Sequence, residues 1–342
     1  MTLSHEIRLL PRKWIPLAAA LALANLVYAQ TAPTPQTQRS RVRMPIFSFD
    51  AVQPEAVLAP QGDASQSDGW EAQSVSAPAV LVKQDTLFLF YAAEDRVRLG
   101  GVPGTSRIGL AYSIDGVHFT RLPAPMLAPT LDFETPGGCK NPSVVFAEEV
   151  YHMTYLASDG RTTRLALATS KDLRRWQKHG LALRDTAALS GGVMLPQKLG
   201  GRFVMYYTKE ELRLAFSNDL LHWFPQMEPL LRLRADKFDS DAIEVGPPPM
   251  IIDSTIALLY NARDASGKRA LGMARFSMDN PATLLARSDQ PLLELLPTPA
   301  PGESNAKASG LVQWRGQYEM FYSNADGIIH RTKARLLFSE KK

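Results

Sequence analysis

The sequence predicts an all-β fold, a five-bladed β-propeller with four-stranded antiparallel blades, and three observations predict it. A strand ending in Tyr with an acid four residues on occurs five times: "FLFYAAED" (Tyr91, Asp95), "HMTYLASD" (Tyr155, Asp159), "VMYYTKEE" (Tyr207, Glu211), "ALLYNARD" (Tyr260, Asp264) and "EMFYSNAD" (Tyr322, Asp326). After it comes a strand closed by a Ser-x-Asp turn, clearest in "LALATSKDLRRWQ" (165–177) and "LRLAFSNDLLHWF" (212–224), and looser in "IGLAYSIDGVHFT" (108–120) and "LGMARFSMDNPAT" (271–283). Ahead of each Tyr strand lies another short apolar run, usually begun by proline: "APAVLV" at 77, "NPSVVF" at 141, "LPQKLG" at 195, "PPPMII" at 247 and "SGLVQW" at 309. Short runs rich in Val, Tyr, Phe and Leu, punctuated by Gly, Asp, Asn and Pro, are strands. A unit of this kind recurring every 50 to 65 residues is radial repetition, which a β-sandwich would not display.

Taken in chain order, the first element is a targeting segment. Arg8, Arg12 and Lys13 precede the apolar stretch "WIPLAAALALANLVYA", which closes on the small residues Val27 and Ala29. This predicts a secretory signal peptide over residues 1–29 and export to the periplasm or medium. Its apolar core of 16 residues is shorter than a spanning helix requires, so no membrane anchor is expected after cleavage. Residues 30–45, with the polar, proline-bearing "QTAPTPQTQRSR", read as a flexible lead-in. The propeller is expected over 46–342. Within it, proline is expected to open each innermost strand, Tyr to close the second, Ser-x-Asp to close the third, and runs such as "HFTRL" to form the fourth.

Composition narrows the partners. Removing residues 1–29 takes away three bases and one acid, lowering the formal charge from +4 to +2, too near neutral for a nucleic-acid or anionic-membrane binder. The single cysteine, Cys139, allows no internal disulfide and is expected to be a small buried residue.

Propeller topology then sorts the polar residues. The start of each inner strand and the turn between strands two and three emerge on one face, so Asn141, Glu244 and Lys198 are expected around its central mouth. The same face receives Asp95, Asp159, Glu211, Asp264 and Asp326, and the bases that begin the third strands, Arg107, Arg164, Arg213 and Arg269. Acids, bases and aromatic walls in a funnel suit an oligosaccharide or glycan better than an apolar ligand. On the opposite face Asp172 and Asp219 are expected to cap turns, with Trp176 and Trp223 packed between blades. Glu244, in "KFDSDAIEVGPPPMI", is expected just before the fourth inner strand, stiffened by Pro247–Pro249. No metal site and no cofactor is expected, although the mouth of a propeller is compatible with a central oxygen-ligated cation.

Four stretches carry a family resemblance over residues 70–342: "FYAAEDRVRLGGVPGTSRIGLAYSIDGVHF", "MTYLASDGRTTRLALATSKDLRRWQKHG", "LPQKLGGRFVMYYTKEELRLAFSNDLLHW" and "EVGPPPMIIDSTIALLYNARD", which runs on to "ARSDQPLLE". The chain resembles glycoside hydrolase family 130, five-bladed propellers that phosphorolyse or hydrolyse β-mannosides. The resemblance places Asn141, Pro142 and Ser143 where the family has Asp-Pro-Arg with a proton-donating Asp, and an amide is no acid. It places Tyr260, Asn261 and Ala262 where phosphorylases have a Tyr-His-Gly that helps bind phosphate, and it matches Lys198 to a phosphate-side lysine. The implied reaction is therefore hydrolysis rather than phosphorolysis. Its acid/base work would fall to Glu244 with Asp241 or Asp239 and a loop acid such as Asp95 or Asp264, since glycoside hydrolysis needs two carboxylates about the bond. Asn141, Lys198, Asp95, Arg107, Asp159, Tyr260, Asn261, Asp264 and Asp326 would bind substrate. A catalytically inactive carbohydrate-binding propeller, and an enzyme of another sugar specificity, stand as the alternatives.

Overall fold

The computed structural model describes residues 45–50, 55–62, 69–95, 104–184, 188–295 and 306–338. The expected signal peptide and nearly all of the expected lead-in lie outside the described residues. No helix among the described residues is long and apolar enough to cross a membrane.

Antiparallel blades recur five times along the chain, in four hydrogen-bonded sheets, since a parallel bridge between Ser106 and Gly138 joins the first two blades. Blade 1 consists of Ser74–Lys83, Thr86–Glu94, Ser106–Ser113 and Thr120–Arg121, and blade 2 of Gly138–Ala147, Val150–Ser158, Thr163–Ser170 and Gln177–Leu181. Blade 3 is Gly191–Leu199, Arg202–Lys209, Glu211–Ser217 and Trp223–Pro225. Blade 4 has a split inner strand, Ala242–Val245 and Met250–Ile252, then Thr255–Arg263 and Arg269–Ser277, then a split outer strand, Leu284–Arg287 and Leu293–Leu295. Blade 5 is Lys307–Trp314, Gln317–Ser323 and Ile329–Phe338, and its fourth strand is supplied from the other end of the chain by Pro45–Phe49.

Polar bonds join neighbouring blades all the way around. Ser106 N–H donates to Gly137 O (3.1 Å), Thr154 Oγ1 to Gly192 O (2.6 Å), Val245 N–H to Thr208 Oγ1 (3.1 Å), Ala308 N–H to Asn261 Oδ1 (2.8 Å) and Ser309 Oγ to Pro78 O (2.8 Å). Between them lie apolar layers shared by adjacent blades, such as Met194, Met205 and Trp223 of blade 3 against Leu156 and Leu165 of blade 2.

The prolines sit differently from expectation. Each inner strand starts several residues earlier, at Ser74, Gly138, Gly191, Ala242 and Lys307, and Pro78 and Pro142 mark a break in register inside the strand. Proline lacks the ladder N–H, so it is tolerated at a bulge rather than in a paired position. Ala77 (φ 47°) and Asn141 (φ 50°) adopt left-handed conformations at that bulge. In blade 4, Gly246 and Pro247–Pro249 fill the gap between the two inner segments, which puts Glu244 within the strand rather than ahead of it.

The Ser-x-Asp turns are structural, as expected. In each of three blades the Ser hydroxyl accepts from a backbone N–H and the Asp carboxylate from two more, for instance Asp172 Oδ1 from Arg174 and Arg175 N–H. Trp176 packs edge-on against Phe90 of blade 1 at 5.5 Å. Cys139 is buried, and burial pushes its thiol up to about 12.

Candidate functional site

Register places five side-chain positions around the axis. Ser76, Lys140, Glu244 and Lys307 each pair with the residue after a repeated Tyr, namely Ala92, Leu156, Asn261 and Ser323, while in blade 3 Gly192 pairs with the repeated Tyr207 itself, the residue after Tyr206. Because the pleat alternates, residues at one register position in every blade face the same way. Ser76, Lys140, Glu244 and Lys307 accordingly line one central pocket of about 310 Å³, at the small end of the range for small-molecule sites. Asn141 lines it too, as expected, and so do Glu94 at the end of the second strand of blade 1 and the pair Arg263 and Arg269 of blade 4.

Glu244 is the best-held group there. Lys307 Nζ donates to its Oε2 at 2.9 Å, and Arg269 Nη1 lies 3.8 Å from its Oε1. Burial pushes the Glu244 carboxyl up, but Lys307, Arg269 and Arg263 outweigh it and hold the group below its ordinary value. Glu244 therefore stays ionised, suited to accept a proton or attack rather than to donate. The second carboxylate, Glu94, belongs to blade 1, which is not a neighbour of blade 4. Its Oε1 accepts from Ser106 Oγ at 3.1 Å. Two carboxylates from non-adjacent blades thus share one pocket, the composition that glycosidic chemistry requires.

Several expected site residues lie elsewhere. Asp239 is fully buried, clasped by Arg234 Nη2 (2.8 Å), by Arg287 and by the Tyr260 hydroxyl (2.9 Å), so it cannot meet a substrate. Tyr260 is buried in the same cluster. Asn261 spends its whole amide on the backbone: Nδ2 donates to Val245 O and Ala308 O while Oδ1 accepts from Ala308 N–H, which rivets blade 4 to blade 5. Lys198 stands near the opposite end of its strand, 3.5 Å from Glu148 and 4.8 Å from the Phe203 ring. The expectation failed because Pro196 lies past the pocket end of the strand and is not the counterpart of Pro142.

The Tyr-x-x-x-acid residues are occupied locally. Asp95 pairs with Arg107 (2.5 Å) and accepts from Thr105 N–H. Asp159 pairs with Arg164 (2.8 Å), Asp264 closes its own hairpin through Ser266 and Lys268 N–H, and Asp326 meets His330 (3.0 Å). Asp241 sits outside the pocket, half-exposed, against Arg263 (2.5 Å), and can act on it only through that arginine.

Glu94, Lys140, Lys307 and Arg263 were not anticipated. Lys140 and Lys307 stand two residues before Pro142 and Ser309 and 15 before Tyr155 and Tyr322, while Glu94 and Arg263 stand three residues after Tyr91 and Tyr260. Asp239 also has a readable signature. An aromatic-acid dipeptide precedes the Tyr by 20 or 21 residues in three blades, as Trp70-Glu71, Phe133-Glu134 and Phe238-Asp239. In each, the Tyr hydroxyl donates to the acid and a base of the outer strand, Arg121, Lys178 or Arg287, neutralises it. In blades 1 and 4 the aromatic also stacks on the Tyr, Trp70 on Tyr91 and Phe238 on Tyr260. A Cβ at Gly109 or Gly272 would come within 2.4–2.5 Å of that Tyr ring, which is why glycine stands there.

The described residues contain no cluster of three or more His, Cys, Asp or Glu able to hold a metal. The pocket instead carries Lys140, Lys307, Arg263 and Arg269, a donor set that favours an anion over a cation. A larger cavity, of about 600 Å³, opens between the outer strands of blades 2 and 3 beside Tyr207, Trp223 and Phe224. It has no carboxylate in its wall, so two-carboxylate chemistry cannot take place there.

Comparison with known proteins identifies the family. A family model described as β-1,4-mannooligosaccharide phosphorylase matches residues 70–298. A 1,2-β-oligomannan phosphorylase of Thermoanaerobacter sp. (strain X514) is 29% identical over 232 residues, covering 66% of this chain and 76% of that protein. A glycosyl hydrolase from Bacteroides ovatus superposes with a TM-score of 0.77 at 25% identity, over 86% of this chain and 96% of the other. So does a structure from work on glycoside hydrolases, within the GH130 family of mannoside phosphorylases, that target β-1,2 mannosidic linkages in Candida mannan, with a TM-score of 0.77 and 26% identity over 88% and 97%. The family model spans two-thirds of the chain, and the chain belongs to glycoside hydrolase family 130.

Proposed function

We propose that the protein is an exported β-mannoside-active enzyme that hydrolyses its substrate in the central pocket. The observation that carries this reading is the presence of Glu94 and Glu244, from non-adjacent blades, in the wall of a single polar pocket of about 310 Å³. Glu244, held ionised by Lys307 and Arg269, takes the role of base or nucleophile, and Glu94 that of proton donor to the leaving oxygen. Asn141, standing where the family donor would be, positions substrate. Membership of family 130 and the mannoside activities of its relatives support the sugar. The reaction needs no cofactor.

A second reading, phosphorolysis, is favoured by one observation: Lys140, Lys307, Arg263 and Arg269 surround the pocket, and Lys140 has no ion-pair partner among the described residues. One assay separates the readings. β-1,2- and β-1,4-mannobiose are incubated with and without inorganic phosphate, and the products identified. Free mannose without phosphate is the expected result. Mannose 1-phosphate formed only with phosphate establishes the second reading, and binding without turnover of either disaccharide establishes a carbohydrate-binding propeller. Export is read from the mature N-terminus, expected at Gln30.

A further inference from the structure

Six charged side chains line the central pocket, and five of them are committed to a partner. Glu244 meets Lys307 and Arg269, and Lys307 crosses from blade 5 to reach Ser190 O, at the start of blade 3, at 3.3 Å. Arg263 is held from outside the pocket by Asp241, and Glu94 accepts from the Ser106 hydroxyl. The sixth, Lys140, makes no ion pair and no side-chain hydrogen bond among the described residues.

Charge in the wall is therefore unbalanced by one. Four bases face two carboxylates, and Asp241 just outside supplies a third, which leaves a single positive charge over. That surplus falls on Lys140, at the ring position of blade 2. Blade 3 separates it from Glu244, and the ring position of blade 3 is Gly192, which puts no side chain between them. A lone ammonium is a compact charge that one carboxylate satisfies, whereas a phosphate dianion calls for several charges or an arginine fork, and both arginines here already face carboxylates.

We propose that the sugar ring bound in this pocket carries a carboxylate, so that the preferred substrate is a β-mannuronoside rather than a neutral β-mannoside, and that Lys140 is the residue that selects it. The proposal rests on the mannoside reading above. Glu244 and Glu94 repel a further carboxylate, so the acidic group of the ring can face only Lys140, and the same charges that favour the acid also orient it.

The test compares p-nitrophenyl β-mannuronide with neutral p-nitrophenyl β-mannoside on the full-length protein. Nitrophenol release gives kcat/KM, and calorimetric titration with the two product sugars, mannuronate and mannose, gives affinity. The acid is expected to be favoured about tenfold in both, the worth of one charge-assisted hydrogen bond, and the advantage to shrink as salt is raised. Lys140→Met is expected to abolish the preference and Lys140→Arg to keep most of it, which separates loss of charge from loss of fold. Equal use of the two glycosides, or a preference that survives Lys140→Met or is lost equally in Lys140→Arg, overturns the proposal alone. Turnover of the neutral glycoside that rises with inorganic phosphate, and no longer does so in Lys140→Met, also overturns it, by giving Lys140 to an attacking anion. If neither glycoside is cleaved and neither sugar binds, the mannoside reading falls and the proposal with it.

Discussion

Asp239 and Glu244 lie five residues apart in one segment of blade 4, and they have opposite fates. Asp239 is fully buried and meets Arg234, Arg287 and Tyr260; Glu244 is a quarter exposed in the pocket and meets Lys307 and Arg269. Both are carboxylates paired with two bases, so pairing alone does not mark a reacting group. What separates them is where the bases come from. The partners of Asp239 belong to its own blade, and the same arrangement recurs as Glu71 with Arg121 and as Glu134 with Lys178. Lys307, by contrast, reaches Glu244 from the next blade, at a ring position every blade contributes to. A device repeated within several blades braces each blade; a device assembled from several blades works at the axis.

Substitution at Glu244 breaks the comparison hardest. Glu244→Gln is isosteric but can neither accept a proton as a base nor attack, so kcat is expected to fall about 10²–10⁴-fold, the usual worth of general acid–base catalysis. Melting temperature should fall less than in Asp239→Asn, since Glu244 is a quarter exposed and the amide keeps an oxygen for Lys307, although buried Lys307 loses its counter-charge. Retained turnover would mean that Glu244 is only an anchor for Lys307.

Asp239→Asn should do the reverse. Removing the charge leaves Arg234 and Arg287 without their anion in a buried site, which costs about 3–5 kcal/mol. Thermal unfolding would register this as a large drop, while kcat of the protein that remains folded stays near wild type. A large loss of kcat without loss of stability would restore Asp239 to the active site.

A milder change sharpens the point within blade 2. Tyr155 donates to Glu134 Oε1 at 2.7 Å in a site where both are buried. Tyr155→Phe leaves that oxygen short of a donor and is expected to cost about 1–3 kcal/mol. Chemical denaturation reads it as a lower midpoint with an unchanged slope, and an unchanged midpoint would show that Lys178 and the Thr130 and Leu131 N–H groups satisfy Glu134 alone.

The propeller was legible because its strands, turns and Tyr repeat are written locally, each within a few residues. The site was legible only in part. Glu244 and Asn141 stood out by position and do line the pocket, but Lys198 was taken from a proline that is out of step with the others by two residues. Lys307 and Glu94 hold a regular spacing from their tyrosines, but that spacing does not reveal that Lys307 meets Glu244 or that Glu94 shares its pocket, which closure of the ring alone brings about. Asp239 misled for the opposite reason, since an acid beside an aromatic ahead of a strand looks reactive until its two counterparts in blades 1 and 2 are aligned with it.

Acid titration gives the smallest effect and extends the comparison to the rim. Arg164 and the Thr162 and Arg161 N–H groups hold the Asp159 carboxyl at about 2, below its ordinary 3.8. A carboxyl depressed in the folded state adds stability that is complete above its unfolded pKa and is lost as pH falls through the folded one. For Asp159 the window therefore runs from 3.8 down to about 2. Glu134 is shifted the same way: burial pushes it up, but Lys178, the Thr130 and Leu131 N–H groups and Tyr155 outweigh that, and its share is lost as pH falls below its ordinary 4.5. Melting temperature measured from pH 6 to pH 2 should hold level and then fall within these windows. Arg164→Gln should trim less than about 2 °C at neutral pH, as a solvent-reached surface pair does, and make the descent below pH 4 slightly shallower. A descent that steepens instead would mean that Arg164 contributes by packing against the loop rather than by its charge.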